Sequence, residues 1–239
     1  MDVQAPVSSP NAMPLEIGML LYPGMTLLDL AGPQAVLGMH GRTHLFWKTL
    51  DPVTTDSGIA LVPTATLADA PAKLDVLFVP GGFGTIDAMK DKEIVAFLAE
   101  RGRDARYVTS VCSGSLLLGM AGLLDGYRAA THWACYDVLE ALGVQPGRKR
   151  VVTDRNRFIG GGVTAGIDFG LTLLAELRGE HVAKVTQLLM EYDPTPPFNT
   201  GHPRMAGPQL IAAALKIMGE DALAEGVEVA KTRREREPA

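Results

Sequence analysis

Short apolar runs that alternate with segments of helical spacing constrain this chain more than any other feature. Residues 15–22, 43–49, 74–79 and 106–111 form runs of strand length. Helical spacing of apolar residues predicts helices over 27–39, 92–105, 113–121, 136–142, 167–178, 181–192 and 208–218. The first run is broken only by Glu16 and Gly18, and short buried strands of this kind that alternate with helices need cover on both faces. This predicts an α/β fold, a mostly parallel sheet with helices on both faces. Residues 53–62, centred on Asp56-Ser57-Gly58, read as a small hairpin outside this pattern. Residues 150–154 and 157–159 flank a turn at Asn156, and the proline-rich stretch 194–203 reads as loop.

With 239 residues, 47% of them hydrophobic, the chain can bury a sizeable core, and disorder is excluded for its bulk. Its 22 basic and 27 acidic side chains leave a net charge of −5, which argues against a binder driven by nucleic-acid phosphates. No apolar run approaches the ~18 residues of a membrane span. Two cysteines, Cys112 and Cys135, are too few for a disulfide scaffold and point to a reducing, cytoplasmic setting. Residues 1–14 read as a loose leader, 15–230 as one domain and 231–239 as a solvated charged tail in which Arg and Glu alternate.

The stretch Tyr107-Val108-Thr109-Ser110-Val111-Cys112-Ser113-Gly114-Ser115 carries the chemistry. A β-rich run ends at Cys112, and small residues then open a helix. This is the small-x-nucleophile-x-Gly spacing of a nucleophile elbow. Such a turn strains the nucleophile outward and sets its thiol at a helix N-terminus, where partial positive charge favours thiolate. A buried, inert cysteine is the alternative, and it is the reading given to Cys135, which has no such context.

Other residues admit two readings each. Gly81 and Gly82, in Pro80-Gly81-Gly82 after a predicted strand, either aim backbone N–H groups at a ligand or simply make a turn. The cluster Gly160-Gly161-Gly162-Val163-Thr164-Ala165-Gly166 lacks the Lys-Ser/Thr ending of a phosphate loop, so close packing beside the elbow is favoured. His132 is a core hydrogen-bonder or a site residue. Asp29, in the apolar stretch Leu27-Leu28-Asp29-Leu30-Ala31, either caps a helix or faces the thiol. In the second case apolar surroundings raise its pKa and make it a proton donor. No spacing of His, Cys, Asp and Glu suggests a metal site.

Taken together, Asp29-Leu-Ala-Gly-Pro, Pro80-Gly-Gly, the run into Cys112, Thr131-His-Trp and Gly160-Gly-Gly-Val-Thr-Ala-Gly-Ile-Asp168 resemble the ThiJ/PfpI superfamily. That superfamily has a class I glutamine amidotransferase-like fold, and the branch most similar is the bacterial isocyanide hydratases. The likeness runs from about residue 15 to 199, with the motifs in the family's order. It implies a flavodoxin-like three-layer sandwich, a homodimer, a small-molecule isocyanide as substrate and no cofactor. It implies Cys112 as nucleophile and Asp29 as its acid–base partner, with Gly82 lending a backbone N–H. Ser113 stands where the hydratases carry Thr, keeping the hydroxyl, and Val163 stands where they carry Ile. The same superfamily includes glyoxalases, other carbonyl hydrolases and cysteine redox sensors, which remain the alternatives. Its regulators add a helix-turn-helix module, for which the forty residues after Asn199 are too few.

Overall fold

The structure, a computed structural model, describes residues 13–236, with side chains as far as Arg233. The first half runs β1 (Leu15–Leu20), α1 (Leu27–Leu37), β2 (Gly41–Trp47), β3 (Val53–Thr54), β4 (Ala60–Leu61), β5 (Ala65–Thr66), β6 (Val76–Val79), α2 (Thr85–Lys90), α3 (Lys92–Asp104), β7 (Tyr107–Val111) and α4 (Gly114–Met120). There follow β8 (Arg128–Ala129), α5 (Tyr136–Ala141), β9 (Gln145–Pro146), β10 (Val151–Asp154), β11 (Arg157–Gly160) and α6 (Ala165–Arg178). The chain ends with α7 (Glu180–Leu189), α8 (Pro203–Ala206), α9 (Pro208–Met218) and α10 (Glu220–Arg236).

Seven strands form one sheet in the order β10-β11-β7-β6-β1-β2-β5. Every neighbouring pair is parallel except the hairpin β10–β11, so the mostly parallel sheet predicted from the apolar runs is present. β6 and β7 are buried at every position, which is why their sequences read as apolar runs. Helices α1, α6 and α7 pack together as one layer; α2, α3, α4, α5 and α10 form a second. Phe78 of β6 and Phe169 of α6 are both fully buried with ring centroids 5.7 Å apart, locking sheet to helix. Emptying such a site costs about 3–5 kcal/mol.

The chain leaves β1 towards β2 on one side and returns through β6 on the other, so the strand order reverses between β1 and β6. The crevice beyond the carboxyl ends at such a switch point is where open α/β sheets bind ligands. Three segments converge on it: α1 after β1, the glycine turn after β6 and the elbow after β7.

Residues 208–218 form a helix, α9, as expected. At the expected tail, residues 231–236 continue α10; Lys231 and Thr232 are exposed, while Arg233 is buried, bonded to the Asp125 carboxylate and the Leu142 carbonyl. The leader expected over 1–14 falls outside the described residues as far as residue 12.

Candidate active site

Cys112 is one of three non-glycine residues at positive φ among the described residues, here 59°. Holding an L-residue there costs about 1–3 kcal/mol and persists only where the surroundings over-determine it. They do so from both sides. Its N–H donates to the carbonyls of Gly160, at 3.1 Å, and Gly161, at 2.6 Å. Its own carbonyl accepts the hydroxyls of Thr131, at 3.2 Å, and Ser115, at 3.3 Å. The glycine cluster after β11 therefore packs against the elbow and receives its amide, as close packing requires.

Asp29 lies in the first turn of α1 and is wholly buried. It does not cap that helix. Thr26 holds the N-cap position without a side-chain bond, and Asp56 reaches across from the β3–β4 hairpin to accept the Leu27 N–H at 3.2 Å. Freed from capping, Asp29 Oδ2 accepts the Gly81 N–H at 2.9 Å, while Oδ1 has no partner of standard geometry. The polar group coupled to this carboxyl is the Cys112 thiol. Burial pushes the Asp29 pKa up to about 7, against the pull of the Gly81 and Cys112 bonds. Burial, and then the charge of Asp29, hold the Cys112 thiol well above its ordinary range, although the Ser113 N–H at the helix N-terminus acts the other way. Each charge opposes the other, so the pair loses its two protons in separate steps, and between those steps it holds one proton and one negative charge. A thiolate on Cys112, expected from the helix N-terminus alone, requires that Asp29 keep the proton.

Gly81 and Gly82 fit these positions because they lack side chains. A Cβ on Gly81 would stand 2.5 Å from the Ser113 nitrogen, and Gly82 has φ 147°. Their N–H groups are engaged within the protein: that of Gly81 by Asp29, and that of Gly82 by Ser113 Oγ at 3.0 Å. The Ser113 hydroxyl also meets Thr85 Oγ1 at 2.8 Å, and Thr85 in turn meets Tyr22 OH at 3.0 Å. This chain of hydroxyls clamps the glycine turn onto the elbow. Tyr22 and Thr85 carried no sequence signal beyond their nearness to Pro23-Gly24 and to Gly82-Phe83-Gly84.

A cavity of about 200 Å³ opens over Cys112. Val163 and His132 line it, as does Cys135. His132 Nδ1 accepts the Ala134 N–H at 3.4 Å, and burial lowers its pKa to about 4, so the ring stays neutral. Burial raises the Cys135 thiol to about 12. The two cysteines are both free. Among the described residues, no group of three His, Cys, Asp or Glu side chains could hold a metal ion, and no helix is long and apolar enough to cross a membrane.

A family model described as the DJ-1/PfpI family matches residues 16–176. Isonitrile hydratase of Pseudomonas putida is 50% identical over 206 residues, covering 85% of this chain and 90% of that protein. The HTH-type transcriptional regulator GbdR of Pseudomonas aeruginosa is 34% identical over 81% of this chain but only 55% of its own length, so the chain spans about half of that regulator. The crystal structure of a ThiJ/PfpI family protein from Pseudomonas syringae superposes with a TM-score of 0.87 at 47% identity, covering 92% of this chain and 98% of that one.

Proposed function

The chain belongs to the DJ-1/PfpI family, and we propose that it is an isocyanide hydratase in which Cys112 and Asp29 convert an isocyanide to an N-substituted formamide. The observation that carries this reading is the buried pair: a thiol on a strained elbow, coupled to one carboxyl whose pKa lies near 7. The identity to the hydratase supports the same substrate class.

The reactive form is the singly charged pair with the proton on Asp29. The thiolate attacks the terminal isocyanide carbon and forms a C–S bond, and the Asp29 proton passes to that carbon, giving a thioimidate. No group departs, so no leaving group needs protonation. Water then adds to the thioimidate carbon while Asp29 takes a proton from it and delivers one to nitrogen. The tetrahedral adduct collapses. The C–S electron pair returns to Cys112, the hydroxyl proton returns to Asp29, and the formamide leaves. The sum is isocyanide plus water, and the reading requires no cofactor.

Gly81 and Ser113 act here as positioning residues. Gly81 orients the carboxyl, and Ser113 holds the Gly82 turn against the elbow. Val163 forms cavity wall. We take the working form to be a cytoplasmic homodimer, which rests on the family resemblance, on two free cysteines and on exposed apolar side chains such as Leu188, Leu189 and Phe198.

Intact mass spectrometry after rapid acid quench tests the mechanism. The expected result is an adduct on Cys112 heavier by the whole substrate, together with solvent oxygen in the formamide when the water is isotopically labelled. A fragment-sized adduct, unlabelled formamide, or turnover of methylglyoxal with none of an isocyanide would overturn it.

A further inference from the structure

The family match ends at residue 176, yet the cavity over Cys112 is walled in part by residues beyond that limit. Met218, Ala222 and Leu223, from the corner where α9 meets α10, stand in its wall with Ile86 of α2 and Leu116 of α4. We propose that this C-terminal corner selects the substrate, with Met218 and Leu223 limiting the isocyanide substituent to one small, uncharged ring or branched chain. The inference rests on the hydratase reading for its substrate class and on the geometry of the corner for its size limit.

The wall is held firmly. The chain reverses at Gly219, at φ 83°, and α10 then lies along α2 and α5. Among the described side chains of α10 the buried positions are Gly226, Ala230 and Arg233, spaced as one helical face. A Cβ on Gly226 would stand 2.7 Å from Ile86 Cδ1, so α10 is pressed directly against a residue that lines the cavity. Arg233 fastens the far end to Asp125 and to the Leu142 carbonyl. Movement of the corner away from Cys112 would break this packing.

Size and polarity follow from the lining. A dry apolar cavity of ~150 Å³ accommodates benzene, so about 200 Å³ takes one ring with its isocyano group, and a second ring would have to extend past the corner towards the mouth. Ile86, Leu116, Val163, Met218 and Leu223 offer a substituent no hydrogen-bond partner, and among the described residues no Lys or Arg lines the cavity to pair with an anion. Asp56 stands among the lining residues and would repel one.

The test compares kcat/KM for cyclohexyl isocyanide and 2-naphthyl isocyanide in the wild type, Met218→Ala, Leu223→Ala and Met218→Trp. Thermal melts establish that each variant is folded. The expected outcome is strong preference for the single ring in the wild type, a shift of about tenfold towards the double ring in either alanine variant, and the opposite shift in Met218→Trp. Equal ratios in all four proteins would overturn the proposal. A second readout does not depend on turnover. Alkylation of Cys112 by iodoacetamide and by its N-naphthyl derivative, followed by mass spectrometry, should show the bulky reagent gaining in the alanine variants. If no isocyanide is turned over but this gain is seen, the hydratase reading fails and the selecting wall stands. If isocyanides are turned over but neither readout moves, the wall fails alone.

Discussion

The elbow and the C-terminal corner border one cavity, but they are held by different means. The elbow is surrounded: β7 is buried throughout, and Cys112 is fixed through its N–H and its carbonyl. The corner is attached along one face only, and α9 has no buried residue at all. Chemistry that depends on the distance between a thiol and a carboxyl sits where the backbone has no alternative. Fit to a substituent is assigned to an outer layer that tolerates changes of side chain.

The largest effect that would sharpen this comparison is expected at Asp29. Asp29→Asn should fold and lose ~10²–10⁴ in isocyanide turnover. In the wild type kcat/KM should rise with pH through about 7, because at lower pH both members of the pair are protonated and no nucleophile is present. That inflection should vanish in Asp29→Asn. Stability carries the opposite sign. A carboxyl raised from 3.8 to about 7 on folding stabilises the native state less as pH rises across that window, so Asp29→Asn should melt higher than wild type at pH 8, with the gap closing towards pH 5. Wild-type turnover in a folded Asp29→Asn protein would remove the carboxyl from the chemistry.

A smaller effect tests the tightness of the elbow. Gly81→Ala places a methyl 2.5 Å from the Ser113 nitrogen and 2.6 Å from its hydroxyl, contacts that backbone cannot relieve cheaply. A loss of about 1–3 kcal/mol in urea unfolding is expected, and an unchanged midpoint would mean that the glycine turn yields. The smallest effect belongs to α9. Leu210 is 52% exposed, and Leu210→Gln should change stability by less than about 0.5 kcal/mol. A change of several kcal/mol would break the comparison, since it would show α9 packed against a partner.

The elbow was legible because its geometry is local: Ser110, Cys112 and Gly114 announce a tight strand-to-helix turn within five residues. The sheet was legible because β6 is apolar at every position and β7 is rich in β-formers, both being buried throughout. What escaped depends on contacts distant in sequence. Nothing around Asp29 says that Asp56, from a separate hairpin, caps α1 and leaves the acid free. Glycine at position 82 indicates close approach but not the direction of its N–H, which goes to Ser113. Helix α10 is polar along most of its length, and Gly226 reads as a breaker; only the surfaces of Ile86 and Val138 explain why a residue without a side chain belongs there. Strands β5, β8 and β9 contain two residues each, too few for any period to register.

The ends of the sheet have a consequence for solubility. At one end β5 is only two residues long and follows Pro63, which cannot donate to a ladder. At the other, β10 is flanked by Arg150 and Arg155, and the Asp154 carboxylate is occupied by the Arg128 N–H at 2.9 Å. Short, charged or proline-guarded margins of this kind do not template the addition of strands from another molecule. A sheet whose interior strands are buried along their length is thereby kept from growing by strand addition at its margins.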